Sequence, residues 1–256
     1  ILVSSNEGDL ANDEADMWDS GIVESDQSIQ IVYQGKELQS SKTYFWKVRV
    51  WDKNKVATPW SKTAYWSMGL LDKREWNGQW IGAKKETLQQ KEWKNPELMP
   101  SAFLRKEFSV SKSIESATMY ISALGLYELH LNNQKVGDAY FAPGWTDYTK
   151  RVQYQTYDVT NLLKDGENAI GTIVGTGWYA GHVGMLGTCV YGEQPYVLVQ
   201  MNITYKDGSV EQVVTDQTWK TSIGPILYSD IIKGEYYDAR LEMDGWSTPG
   251  FNDSKW

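Results

Sequence analysis

The sequence predicts an all-β chain in two parts, a small β-sandwich followed by a larger sandwich of jelly-roll type, and three observations carry that expectation. Apolar residues alternate with period two through most of the chain. Glycine, asparagine and aspartate recur between those runs, where turns are needed. No amphipathic pattern with the helical period of about 3.6 residues lasts beyond a turn or two. The 256 residues suffice for two domains with separate cores, and we place them at 1–76 and 77–256, meeting near Trp76–Trp80.

In the first part, "SIQIVY" (Ser28–Tyr33) reads as a strand and is followed by a polar turn near Gly35. "TYFWKVRVWD" then puts Tyr44, Trp46, Val48 and Val50 on one side and Phe45, Lys47, Arg49 and Trp51 on the other, a half-buried strand with a wet face. The loop "KNKVATPW" leads to the strand-like "SKTAYWSMGLL". "KKETLQQKEWKNPELMPSA" is charged and lacks periodicity, which predicts a surface excursion.

Strands resume with "FLRKEFSV", "SATMYISALG" and "LYELHLNNQKVGD". Asn132-Asn133 marks a hairpin, because asparagine tolerates the left-handed backbone of tight turns, and His130 falls on the wetter face of its strand. In "YVLVQMNITYKDGSVEQVVTD", Val197, Val199, Met201, Ile203 and Tyr205 share a face, Asp207-Gly208 turns the chain, and Val210 resumes the alternation. Only "DVTNLLKDGEN" reads as a helical turn, with Asp158 or Thr160 as its cap and Gly166 as its stop.

Composition narrows function. A net charge of −8, with no basic run interleaved with aromatics, excludes nucleic acid as a partner. No apolar stretch approaches the roughly 18 residues of a membrane-spanning helix, so no membrane partner is expected. Cys189 is the only cysteine, which excludes an internal disulfide and a cysteine-based zinc site, and its surroundings suggest a buried or inert thiol. The start at Ile1, within a strand-like stretch, leads us to expect further sequence upstream.

The unusual feature is the aromatic content, 13 Trp and 16 Tyr against 5 Phe. Trp and Tyr join a flat apolar face to a polar edge, which suits both sandwich margins and sugar-contacting surfaces. "APGWTDYTKR" (Ala142–Arg151) gathers Trp145, Asp147, Tyr148 and Arg151 in a loop, and the glycine-rich "GWYAGHVG" offers Trp178, Tyr179 and His182. Two readings stand side by side. Either the tryptophans present faces to a ligand, or Trp145 and Trp178 anchor their loops under the sandwich while Asp147 pairs with Arg151 or caps a turn.

Taken in order, "QWIGA", "LRKEFSV", "ALGLYELHLNNQKVGD", "APGWTDYTKRVQYQTYDVTNLLKDGENAIG", "GTGWYAGHVG", "DGSVEQVVTDQTWKTSIGPILYSDIIKGEYYDARLEMDGW" and "FNDSKW" resemble the N-terminal non-catalytic domain of bacterial α-L-rhamnosidases of glycoside hydrolase family 78. The upstream "YFWKVRVWDKNKVATPWSKTAYWSMGLL" is similar to the fibronectin type III-like module of such enzymes. The resemblance implies a fibronectin type III-like sandwich at 1–76 and a jelly-roll, galactose-binding-like sandwich at 77–256, followed in the parent enzyme by a helical (α/α)6 catalytic barrel. "KREWNGQW" (Lys73–Trp80) is superficially similar to the acidic segment of that barrel but lacks its Gly-Trp and Gly-Asp, and we assign no catalytic residue. An inverting glycosidase needs two carboxyl groups about 6.5–9.5 Å apart, a spacing that 33 acidic residues meet by chance.

The resemblance further implies a role in binding L-rhamnose or rhamnose-containing glycans, in some relatives through a bridging Ca²⁺. Candidate ligand-binding residues are Trp145, Asp147, Tyr148, Trp178, Tyr179, His182 and Glu193, with Asp147 as the candidate Ca²⁺ ligand. "GEYYDAR", with Glu235, Asp238 and Arg240, reads either as an edge facing the parent enzyme's catalytic domain or as a buried Glu-Arg or Asp-Arg pair in the core interface. The alternative to sugar binding is a structural or protein-interaction module. A periplasmic or secreted location is favoured over a cytoplasmic one. Far-ultraviolet circular dichroism is expected to show a sheet-dominated spectrum, and a helix-dominated one would overturn the fold and the resemblance together.

Overall fold

The computed structural model describes residues 1–88 and 99–256. The chain forms two compact units, Ile1–Trp76 and Asn77–Trp256. Residues 89–98, most of the expected surface excursion, lie outside the described residues.

The first unit holds strands β1 (Leu2–Ser4), β2 (Trp18–Asp19), β3 (Thr43–Lys47) and β4 (Ala64–Ser67). They form an antiparallel sheet in the order β2-β1-β3-β4. Its core includes Leu2, Val3, Leu10, Tyr44 and Leu70. The sequence expectation fails here in two instructive ways. Ser28–Tyr33 is not a strand: Gln30 has φ +57°, the Gln27 side chain donates to the carbonyls of Ile29 (2.9 Å) and Gln30 (3.2 Å), and Ile29 and Val32 stay exposed. A side-chain amide has taken the acceptors that a strand partner needs. Likewise β3 stops at Lys47 although its alternation continues, because the N–H groups of Val48 and Val50 donate to the hydroxyls of Ser61 (3.1 Å) and Thr58 (3.2 Å). Lys47 is buried rather than wet. Its ammonium donates to the Leu10 carbonyl and the Asp13 carboxylate and lies 4.8 Å from the Trp60 ring.

The second unit is a two-layer sandwich. One layer contains β5 (Ala102–Val110), β7 (Leu126–Leu131), β8 (Gln134–Lys135), β10 (Gly166–Gly175) and β13 (Lys220–Ile223), in the order β13-β5-β10-β7-β8. The other contains β6 (Ile114–Leu124), β9 (Gln155–Asp158), β11 (Tyr196–Tyr205) and β12 (Val210–Val214), in the order β12-β11-β6-β9. A hairpin of β14 (Ile226–Asp230) and β15 (Gly234–Tyr237) stands apart from both layers.

The two inner faces make one core, in which Leu104, Leu129, Leu131 and Ile170 of the first layer join Met119, Ile121, Val199, Met201 and Ile203 of the second. The predicted hairpins form: Asn132 and Asn133 take φ +52° and +66°, and β11 pairs with β12 across Asp207-Gly208. Val210 is nevertheless exposed, and Val213 is the β12 residue that joins the core. The helical turn is a 3-10 turn at Thr160–Leu162, and the Asp158 carboxylate accepts from the Thr160 N–H (3.0 Å).

The outer face of the five-stranded layer is covered by the segment around Trp246. Gly171 on β10 makes room for that ring, since a Cβ there would stand 2.3 Å from it, while His130 and Phe103 meet it at 5.3 and 5.1 Å. Arg105, fully buried on the same face of β5, donates to the carbonyls of Trp246 (2.9 Å) and Thr248 (2.9 Å), to Glu107 (2.6 Å) and to Asp253. Every arm of the guanidinium is therefore used to hold one chain segment on the sheet. Arg105→Met should lower the unfolding free energy by about 3–5 kcal/mol in urea titration, because it removes the common partner of two carboxylates and two carbonyls. A loss below about 1 kcal/mol would mean that the segment holds itself in place by its tryptophans alone.

Candidate functional site

Two loops of the second unit approach each other at one end of the sandwich. One follows β8 and carries "APGWTDYTKR"; the other joins β10 to β11 and carries "GWYAGHVG". The first is pinned by Ala142 and Pro143, both buried: the Ala142 carbonyl accepts from Tyr127 N–H (2.9 Å) and the Pro143 carbonyl from the Gln155 amide (3.2 Å). Trp145 is not the anchor. It is 52% exposed, and its ring lies nearly parallel to that of Trp178, 5.8 Å away at 13°. The Phe141 ring lies 6.4 Å from that of Trp178, tilted by 55°. Phe141 takes φ +56°, a left-handed conformation that disfavours a bulky side chain, and stays 62% exposed.

The same two loops carry a tyrosine cluster, with Tyr148 5.3 Å from Tyr179 and 5.1 Å from Tyr191. The Tyr148 hydroxyl is buried and has no hydrogen-bond partner among the described residues. Burial, with the neighbouring Tyr191 hydroxyl, pushes its pKa up to about 12. A buried hydroxyl left unmatched costs about 1–3 kcal/mol, so this group is a donor in want of a polar partner.

Asp147 is exposed and its carboxylate is already engaged. It accepts from the Thr149 N–H (3.1 Å) and hydroxyl (2.6 Å) and pairs with Lys150 at 3.2 Å, and these contacts hold its pKa below the ordinary carboxylate value. The expected partner Arg151 contributes only its backbone N–H, bound to the Asp147 carbonyl (3.0 Å). Glu193 lies in an ion pair with Lys85 at 2.7 Å. No group of three or more His, Cys, Asp or Glu side chains among the described residues could hold a metal ion. With an ammonium beside Asp147, the residues present do not fit Ca²⁺. Cys189, expected to be buried or inert, is exposed, with φ +59°.

His182 is the element that fixes the second loop. Both its backbone N–H (2.8 Å) and its Nδ1 (3.0 Å) meet Asp230 Oδ2, while Asp230 Oδ1 accepts from the N–H groups of Ile232 (2.8 Å) and Lys233 (3.0 Å). Gly181 permits the approach, since a Cβ there would lie 2.8 Å from Asp230 Oδ2. Burial pushes the Asp230 pKa up, but the hydrogen bonds outweigh it and the net displacement is downward. Sequence reading missed Asp230 and Phe141. Asp230 is not marked by any local pattern, and its partner lies 48 residues away.

Beside this clasp, Phe141, Leu126, Ile231 and Glu235 border a cleft of about 270 Å³ whose wall includes Asp230. Asp238, in the same "GEYYDAR" stretch, pairs with Arg240 at 2.5 Å, but the Arg240 side chain is 87% exposed, so this is a surface pair and not the buried one of the simpler reading.

Residues 112–256 match the family model of the α-L-rhamnosidase N-terminal domain. The chain belongs to that family. Residues 1–72 match a second model, the Rha78A-like N-terminal immunoglobulin domain. That description stands where the sequence suggested a fibronectin type III-like module, and the two share the sandwich architecture. An α-L-rhamnosidase of Alteromonas sp. (strain LOR) is 40% identical over 260 residues, taking in 100% of this chain and 28% of its own length. The crystal structure of Streptomyces avermitilis α-L-rhamnosidase complexed with L-rhamnose agrees with a TM-score of 0.91 at 27% identity, covering 100% of this chain and 40% of that one. The native α-L-rhamnosidase of Aspergillus terreus gives a TM-score of 0.82 at 41% identity, over 91% of this chain and 27% of that one. The chain spans between 28% and 40% of the length of the curated relatives it matches.

Two variants separate structure from binding. Asp230→Ala should cost about 2–3 kcal/mol at pH 7, since it strands several buried donors. Because the folded-state pKa of Asp230 is depressed, this contribution is present above the unfolded value of about 3.9 and is lost as pH falls through the folded value. The difference between wild type and variant in denaturant titrations should therefore shrink below about pH 4. Asp147→Ala should leave the melting temperature nearly unmoved, and a large drop would make Asp147 a structural residue.

Proposed function

We propose that this chain is a non-catalytic accessory region of an α-L-rhamnosidase, an enzyme that releases terminal α-L-rhamnose from glycans or glycosides, and that its second unit binds rhamnose-containing sugar at the Trp145–Trp178 pair. The carrying observation is that pair: two near-parallel indoles, one of them half exposed. A solvent-facing tryptophan with a fixed orientation offers the C–H face of a sugar ring a flat apolar surface. Tyr148 and Asp147, on the same loop as Trp145, are the donor and the acceptor we assign to sugar hydroxyls. Family membership supports the substrate class.

A second reading has its own observation. Ile232, Tyr236, Tyr237 and Leu241 are exposed along and beside the β14–β15 hairpin, at 53%, 48%, 47% and 44%. Such a surface suits packing against the catalytic domain of the same enzyme, in which case the unit orients that domain and binds no sugar.

Calorimetry decides between them. The chain is expected to bind L-rhamnose with millimolar affinity, equally with and without calcium. Trp145→Ala and Trp178→Ala should each weaken binding at least roughly tenfold, and Asp147→Ala should weaken it without changing the melting temperature. No turnover of an aryl α-L-rhamnoside is expected from residues 1–256. The absence of any heat with millimolar rhamnose would sink the binding reading and leave the scaffold one, whereas robust hydrolysis would overturn both.

A further inference from the structure

The cleft beside the tryptophan pair is outside the set of residues just assigned to rhamnose, yet it is continuous with them through Phe141, whose ring contacts Trp178 on one side and lines the cleft on the other. Its volume of about 270 Å³ is that of a shallow pocket sized for one sugar ring rather than a drug-sized ligand. Leu126, Phe141 and Ile231 give it an apolar wall, against which the C–H groups of a ring can pack. The polar part is Ser229, Asp230 and Glu235, the last on exposed β15, and no lysine or arginine stands among the described lining residues. The Asp230 oxygens are already saturated by four N–H donors, so Glu235 is the carboxylate left for a ligand hydroxyl.

We infer that this cleft is a second sugar subsite, which accepts the neutral ring next to the rhamnose and rejects one bearing a carboxylate or sulfate. The inference rests on the reading that Trp145 and Trp178 hold the rhamnose. Its logic is electrostatic and steric at once. A neutral ring satisfies the apolar wall and donates a hydroxyl hydrogen to Glu235. An anionic ring of similar shape meets the Glu235 carboxylate in a wall that also contains Asp230 and holds no lysine or arginine among its described residues, and like charges repel.

Three sugars test it by calorimetry against residues 1–256: L-rhamnose, a rhamnosyl-glucose disaccharide, and a rhamnosyl-glucuronate disaccharide. The neutral disaccharide should bind roughly tenfold tighter than rhamnose, and the glucuronate one no tighter than rhamnose. Phe141→Ala should bring the ratio of neutral disaccharide to rhamnose affinity close to one. Glu235→Gln, which keeps the side-chain size on an exposed strand, should leave rhamnose affinity unchanged and raise that of the glucuronate disaccharide toward the neutral one. Added salt should narrow the same gap in the wild type. If rhamnose binds but neither disaccharide binds more tightly, the second subsite is wrong and the tryptophan site stands. Equal gains from both disaccharides would leave a subsite without charge selection and overturn the inference as stated. No binding by any of the three overturns the tryptophan site and the subsite together.

Discussion

The end of the sandwich that carries the candidate site depends on one carboxylate. Asp230 closes the β14–β15 hairpin with one oxygen and grips His182 with the other, so a hairpin that belongs to neither main sheet is tied to the loop bearing Trp178. Loops of this length pay a conformational cost to hold an aromatic side chain in one place. Here the cost is met by a hydrogen-bonded charge that is itself largely buried, with the glycine at position 181 leaving no Cβ in the way. Trp178 in turn orients Trp145 by stacking, and the half-exposed ring of Trp145 faces solvent in a fixed attitude.

The aromatic surplus of the sequence divides into two uses. Trp246 and Trp256 stack on each other at 6.4 Å, and Trp246 covers the outer face of the five-stranded sheet together with Phe103 and His130. Trp219 lies in the core and donates its indole N–H to the Val214 carbonyl at 2.9 Å. These are structural tryptophans, each burying a large apolar area. Trp145 is of the other kind, because its loop is already secured by Ala142 and Pro143 and its ring is free to serve as a surface.

What could be read from the sequence followed from local physics. The β11–β12 hairpin was legible because five apolar residues at alternate positions lead into Asp-Gly, a pattern with one sensible geometry. Ser28–Tyr33 shows the limit, since a short alternating run becomes a strand only if a neighbour supplies hydrogen bonds, and that neighbour is set by tertiary structure. The site was legible in residue type but not in pairing. Both tryptophans and Tyr148 and Tyr179 were identifiable from their glycine-rich loops, and the fold brings them together. Asp147 takes Lys150 rather than Arg151 because a turn returns the chain so that the nearer cation faces the carboxylate. Phe141 and Asp230 were invisible for a related reason: one is singled out by its backbone conformation and the other by a partner far along the chain.

The way Arg105 is satisfied has a consequence for the order of events during synthesis. Its strand is the first of the second unit, yet Asp253 lies 148 residues later and the carbonyls of Trp246 and Thr248 lie 141 and 143 residues later. Until that distant segment arrives, a guanidinium on the outer face of β5 must remain hydrated, which keeps this side of the sheet wet while the inner face collapses. Non-local closures of this kind slow folding, because chain entropy is lost before the contact is gained. The last turn of the unit therefore acts as a latch, and a chain that emerges from the ribosome only as far as Met243 has its sandwich strands but not the partners that allow Arg105 to leave water.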